Sequence, residues 1–250
     1  MLKSRRLLLT RRKMLDFLDK LEAEGDNAVT LYLPSRWTAA DIEDMLGKVP
    51  DKVALPQDII ELAARFETGS ALFWGSSRKC LVLPPFPISE KSIATGFHLK
   101  PLYSMLNKDF TIALILVRLG AYAVGIFRGE ELVTSKVGTG LVHGRHKKGG
   151  SSQRRFERHR EKQIESFLSR VCIHVRERLE PDARSLNYIT YGGAWTTILL
   201  LRKRCTFLCR FDDRTLPPLL DIPEPRQPVL EASIGQVWSS SVLEWYEDGD

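Results

Sequence analysis

Residues 111–137 hold three short apolar runs separated by only two turns, and that spacing leaves the chain few ways to fold. The runs are 111–118, 122–127 and 132–137, joined at Leu119-Gly120 and Arg128-Gly129-Glu130. Apolar runs of this length between glycine turns predict strands, and connections so short join only antiparallel neighbours. The expectation is a β-meander. Beyond residue 137 helix and strand alternate. A long helix is predicted at 153–179, a strand at 187–191 closed by Gly192-Gly193, and a helix at 195–211. An extended segment at 216–223 carries prolines that confine it to an edge, and a final helix is predicted at 228–246. A meander followed by alternating helix and strand predicts an α/β domain with a mixed β-sheet and flanking helices.

A smaller α+β domain is expected ahead of it, so the predicted division is 1–105 and 106–250. Met14, Leu15, Phe17, Leu18 and Leu21 recur at helical spacing within 13–24. A strand at 28–33 stops at Pro34, helices follow at 39–46 and 57–66, and a hairpin joins 70–74 to 79–83. A short helical segment at 101–106 leads to the second domain. In 250 residues, 43% are hydrophobic and 27% charged, enough apolar material for a core and too much for disorder throughout. The longest apolar run, 112–117, has six residues, against ~20 for a membrane-spanning helix. Leu7-Leu8-Leu9 is shorter than the ~7–15 apolar residues of a signal peptide. The four cysteines include no C-x-x-C pair and predict buried thiols in a reducing compartment, the cytoplasm. Cys205 and Cys209 are expected to share one buried face of the helix at 195–211.

The charge is unevenly placed. Residues 143–162 hold eight lysines and arginines against Glu157 and Glu161, and residues 1–13 hold six cations and no acid. Each segment is +6, so a chain of net +6 leaves a body of −6 between two concentrated basic elements. Such clusters suit a polyanion, nucleic acid first. The N-terminal cluster reads as a frayed tail, an RNA-touching arm or a solubilising end.

The segment 138–153 is the most unusual in the chain, with five glycines, no acid, and no large apolar anchor beyond Leu141 and Val142. It is expected to be mobile when free. Gly144-x4-Gly149 mimics a phosphate loop, but Gly150 stands where that motif needs lysine. His143 and His146 have no thiolate or carboxylate beside them to complete a metal site, and no metal or other cofactor is expected. An RNA-facing loop fits every residue type present: glycines permit close backbone approach and cations neutralise phosphates. The helix behind it agrees. Ile164, Phe167, Leu168, Val171, Cys172, Val175 and Leu179 form a core stripe, whereas 154–162 offer only Phe156 among charges. The N-terminal half should therefore project from the body.

Gly149-Gly150-Ser151-Ser152-Gln153-Arg154-Arg155-Phe156-Glu157-Arg158-His159-Arg160 resembles the catalytic loop and adjoining helix of eukaryotic and archaeal class I peptide release factors. The meander before it resembles their central domain, and the likeness covers roughly 108–250. Strict Gly-Gly-Gln register would put glutamine at Ser151; the Gly150-x-x-Gln153 spacing is instead similar to the Vms-type release factors of ribosome quality control and their prokaryotic relatives. The resemblance implies codon-independent hydrolysis of the peptidyl-tRNA ester on the large ribosomal subunit by a monomer. It makes Gln153, Gly149 and Gly150 the catalytic residues. Arg145, His146, Lys147, Lys148, Arg154, Arg155, Arg158 and Arg160 become the contacts to rRNA and tRNA. A tRNA 3′-end endonuclease and a non-catalytic ribosome-binding factor are the alternatives.

Overall fold

A computed structural model of the chain describes residues 3–23, 28–35, 37–48, 55–76, 78–144 and 153–246. In chain order the elements begin β1 (Lys3–Leu9), α1 (Arg11–Glu22), β2 (Val29–Leu33), α2 (Ala39–Leu46), α3 (Gln57–Arg65), β3 (Ser70–Trp74), β4 (Lys79–Leu83), β5 (Ser92–Thr95) and α4 (Lys100–Leu106). They continue as β6 (Thr111–Arg118), β7 (Ala121–Arg128), β8 (Glu131–Thr139), α5 (Gln153–Leu179), β9 (Tyr188–Gly193), α6 (Trp195–Arg204), a 3-10 helix (Thr206–Arg214), α7 (Gln227–Val237) and β10 (Ser240–Tyr246). They form two compact units, Met1–Lys108 with Val237–Asp250, and Asp109–Gln236.

The first unit is a six-stranded antiparallel sheet in the order β1-β10-β4-β3-β2-β5. Its four inner strands, β10, β4, β3 and β2, are buried on both faces because helices cover both. Tyr32, Phe73, Cys80 and Val242 meet α1 and α4 through Met14, Leu18, Leu21, Leu102 and Leu106. Leu31, Leu33, Leu72, Leu81 and Trp245 meet α2 and α3 through Ile42, Met45, Ile59 and Ile60. The two sets alternate along each strand, as the pleat requires. α2 opens with a capping box: Asp41 N–H donates to Thr38 Oγ1 at 3.2 Å and Thr38 N–H to Asp41 Oδ2 at 2.9 Å. Thr38 Oγ1 also donates to Asp41 Oδ2 at 2.6 Å, and this bond together with that from the Thr38 N–H holds the Asp41 carboxyl below its ordinary range.

Both ends of the chain depart from expectation. The final helix stops at Val237, and Ser240–Tyr246 is β10, paired with β1 and β4. Val242 faces one core and Trp245 the other, the period-2 pattern of a buried strand, so residues 240–246 leave the second domain for the first sheet. The basic N-terminus is not a frayed tail either. Lys3–Leu9 is the edge strand β1, and Arg5 pairs with the buried Glu244 carboxylate at 2.7 Å, with Arg78 at 3.7 Å on its other oxygen. A carboxylate at this depth needs such partners, and the chain supplies one from each side of β10.

The second unit is a four-stranded mixed sheet in the order β8-β7-β6-β9. β6, β7 and β8 are the antiparallel meander; β9 runs parallel to β6, which obliges the chain to cross over through α5. Gly120 and Gly129 sit in the hairpin turns at φ +101° and +59°, where a side chain would be strained. One face of the sheet packs on α5 and α6 through Ile115, Val117, Tyr122, Val124, Phe167, Val171, Ile198 and Leu201. The other meets α7, where a Cβ on Gly125 would stand 2.9 Å from Leu230 Cδ2. The segment at 216–223 lies beside β9 through bridges of Thr215 to Ile189 and Leu220 to Gly192.

The predicted helix 195–211 is broken. Cys205 adopts φ −106°, ψ 74°, ending α6, and the chain continues as a 3-10 helix. Cys205 and Cys209 therefore share no helical face: Cys205 is buried and Cys209 exposed. Cys172 and Cys205, expected as free thiols, are joined in a disulfide with Cα atoms 5.4 Å apart, because α5 and the end of α6 meet there. Cys80 is buried within β4.

Candidate functional site

β8 carries the chain up beside β7 and α5 brings it back, so residues 140–144 leave the sheet where β8 stops. Residues 138–144 are held more firmly than their glycines suggest. β8 extends to Thr139, opposite Ala121, and Gly138 lies opposite Tyr122. A side chain at Gly138 would collide with the Tyr122 ring. That ring stacks on His174 of α5 at 5.7 Å and meets Phe167 edge-on at 6.2 Å; burial pushes its hydroxyl pKa up. Gly140 donates its N–H to Gly120 O at 2.9 Å, and a Cβ there would stand 2.6 Å from Phe167 Cδ2. Val142 packs against the core. The expectation of a mobile loop throughout 138–153 is thus corrected for 138–144: these glycines allow close packing against aromatic rings.

His143 ends this packed run, and its backbone is held from both sides. Its N–H donates to Gln163 Oε1 at 3.1 Å, and its carbonyl accepts from Arg160 Nε at 2.9 Å. Both partners are on α5, so the strand side of the segment is tied to the helix two to three turns from its start. Between Arg160 and Gln153 the helix continues about 10 Å further. His143 and His159 face one another with ring centres 6.4 Å apart. Gln163 had no distinguishing signal in the sequence; only the fold brings it to the His143 amide.

Along α5, Phe167, Leu168, Val171, Val175 and Leu179 are buried, with Ile164 and Cys172 at the core's margin. Arg155, Glu157, Arg158 and His159 are exposed, and Phe156 is 60% exposed. Arg155 and Arg158, three apart, lie on one face. Arg160 is half-buried with one of its five N–H donors on His143. The first turn of α5 has no acid. Helix N-termini present unpaired N–H groups and positive potential, so cations there add repulsion in the isolated protein and attraction for an anion.

Gln153 and Arg154 are the first two residues of α5. Gly149, Gly150, Arg145, His146, Lys147 and Lys148 lie outside the described residues. Among the described residues no group of three or more His, Cys, Asp or Glu gathers in metal-binding proximity, and no helix is long and apolar enough to cross a membrane.

Residues 110–243, more than half of the chain, match the family model described as Actinobacteria/chloroflexi VLRF1 release factor. The peptide chain release factor subunit 1 of Archaeoglobus fulgidus is 26% identical over 217 residues, covering 76% of this chain and 53% of that protein. The namesake from Methanopyrus kandleri is 25% identical over 214 residues, covering 74% and 52%. The chain thus spans about half the length of the curated relatives it matches. A crystal structure of the archaeal translation termination factor aRF1 aligns with TM-score 0.41 and 19% identity over 92% of this chain and 73% of that one.

Proposed function

Because the chain belongs to the Actinobacteria/chloroflexi VLRF1 release factor family, we propose that it hydrolyses the ester linking a nascent peptide to tRNA on the large ribosomal subunit. The observation that carries this reading is the start of α5: Gln153 comes just after Gly149-Gly150 and opens a projecting, acid-free helix end whose far half is anchored in the core. No stop-codon reading is invoked, so the reaction is codon-independent and serves stalled chains in ribosome rescue. The protein works as a monomer in the cytoplasm, without metal or cofactor.

Hydrolysis needs water to add to the ester carbonyl carbon. The bond from that carbon to the tRNA 3′-oxygen then breaks, and a proton ends on that oxygen. The Gln153 amide has no useful pKa and is no general base. It can hold the water through its carbonyl and amide groups while a backbone N–H at the helix start faces the developing oxyanion. Removing one such donor typically costs about 3–4 kcal/mol of barrier. Proton transfer falls to the RNA, the tRNA 2′-hydroxyl being the nearest candidate. Gly149 and Gly150 let the tip enter a narrow RNA site. Arg145, His146, Lys147, Lys148, Arg154, Arg155, Arg158 and Arg160 neutralise rRNA and tRNA phosphates around it.

One observation favours a second reading. His143 and His159 stand 6.4 Å apart among cations, a pair that could serve as base and acid in metal-free tRNA cleavage. Large subunits loaded with peptidyl-tRNA separate the possibilities. The release reading expects free peptide with an intact tRNA 3′ end, reduced at least ~100-fold by Gln153→Ala. Peptide still joined to terminal nucleotides would mean RNA cleavage instead. Release unaffected by Gln153→Ala would remove Gln153 from the chemistry. Subunit binding with no release from the wild-type protein would leave a binding factor.

A further inference from the structure

A second group of cations stands at the other end of α5. Arg176 lies twenty-three positions beyond Gln153, about 35 Å along a straight helix. Its guanidinium carbon is 5.7 Å from the centre of the Phe207 ring, and that of Arg210 is 5.4 Å from the same ring. Phe207 is only 8% exposed, and both exposed arginines hold their guanidiniums against this one nearly buried ring, at most about 11 Å apart. Lys203, four residues before Phe207, is exposed as well.

Three neighbouring arginines are paired with acids. Arg202 pairs with Asp212 at 2.6 Å, Arg204 with Glu165 at 3.7 Å and Arg214 with Asp213 at 3.8 Å. Among the described residues Arg176, Arg210 and Lys203 have no acidic partner. Two guanidiniums held within about 11 Å of each other repel, and a polyanion strand contacting both offsets that repulsion. Guanidinium forks match phosphate oxygens bidentately. With one phosphate per ~3.4 Å of a strand, a gap of this size covers two or three phosphates. An acidic protein would look for an exposed aromatic anchor, and this ring is buried.

We propose that Arg176 and Arg210 form a second RNA-phosphate contact about 35 Å from the start of α5. The protein then holds RNA at both ends of one helix. This contact rests on the release reading only in choosing ribosomal RNA as the partner. The test is equilibrium binding of the full chain to purified large ribosomal subunits across a salt series, with peptide release measured at saturating protein. Arg176→Gln/Arg210→Gln should weaken binding about tenfold and lower the slope of log affinity against log salt by about two, with release at saturation unchanged. Arg176→Lys/Arg210→Lys keeps both charges and should restore most of the slope. Arg226→Gln, which removes an exposed arginine already paired with Glu224, should change neither. A wild-type slope and affinity in the double glutamine variant would overturn the proposal. So would weaker binding at an unchanged slope, which would mean a protein contact. If the wild-type protein binds but releases no peptide, the release reading fails while the salt series still decides this contact.

Discussion

Tyr191 shows how one side chain can be tolerated and costly at once. It lies in β9 within the second unit's core, its hydroxyl buried with no hydrogen-bond partner among the described residues, near the Arg202 guanidinium at 5.8 Å from its ring. Burial pushes its pKa from 10.0 up to about 12, with Arg202 pulling the other way. The folded protein therefore favours the neutral phenol. That contribution is complete below about pH 10 and is lost as pH rises toward about 12. Tyr191→Phe should match wild-type stability at neutral pH within about 1 kcal/mol, since it deletes an unsatisfied hydroxyl. Denaturant midpoints measured between pH 9 and 12 should fall more steeply for wild type than for the variant; parallel curves would show that Tyr191 does not titrate late. Gln163 is a different lesson. Its role is a 3.1 Å bond to a backbone amide twenty residues away, a pairing that depends on where β8 ends relative to α5.

The junction of β8 with α5 sets where residues 140–144 leave the sheet. Gly140→Ala would drive a Cβ to 2.6 Å from the buried Phe167 ring, so the ring or the strand end must move. Thermal or denaturant unfolding should show a loss of about 1–3 kcal/mol, with release activity falling alongside because the His143 tie shifts; unchanged stability would mean that the junction yields freely. At this scale much was legible in the sequence. The meander, the span of α5 and its division into packed and projecting halves all come from apolar spacing. The failures have particular causes. Glycines at 138 and 140 look like flexibility in a linear reading but are required by aromatic rings that arrive from α5 and β7. The helical stretch through Cys205 continues in spacing although the backbone turns there. Ser240–Tyr246 carries too few residues for its period to stand out from the helix before it, and its partners lie at the other end of the chain. The catalytic role proposed for Gln153 rests on resemblance alone, since composition and spacing give an RNA-facing loop and no reaction.

The second unit is continuous in sequence, whereas the first is assembled from both ends of the chain. Residues 109–236 expressed alone should keep a cooperative unfolding transition and slow amide exchange in β6 and β7. A chain ending at residue 236 should lose exchange protection in β3 and β4 while retaining it in β6 and β7, because β10 fills the place between β1 and β4. Equal protection of β4 with and without β10 would contradict that architecture. The same feature sets a timetable. Arg5 and Glu244, partners across β1 and β10, are 239 residues apart. At ~5–20 residues per second of synthesis, the first strand emerges roughly 10–50 seconds before its neighbour exists. Through that interval the amides of β1 and β4 that β10 will cover have only solvent or foreign strands to bond, while the later-made unit has everything it needs to close. The half of the molecule made first is thus finished last, and a nascent chain of this protein depends on protection of its own N-terminal strands until β10 arrives.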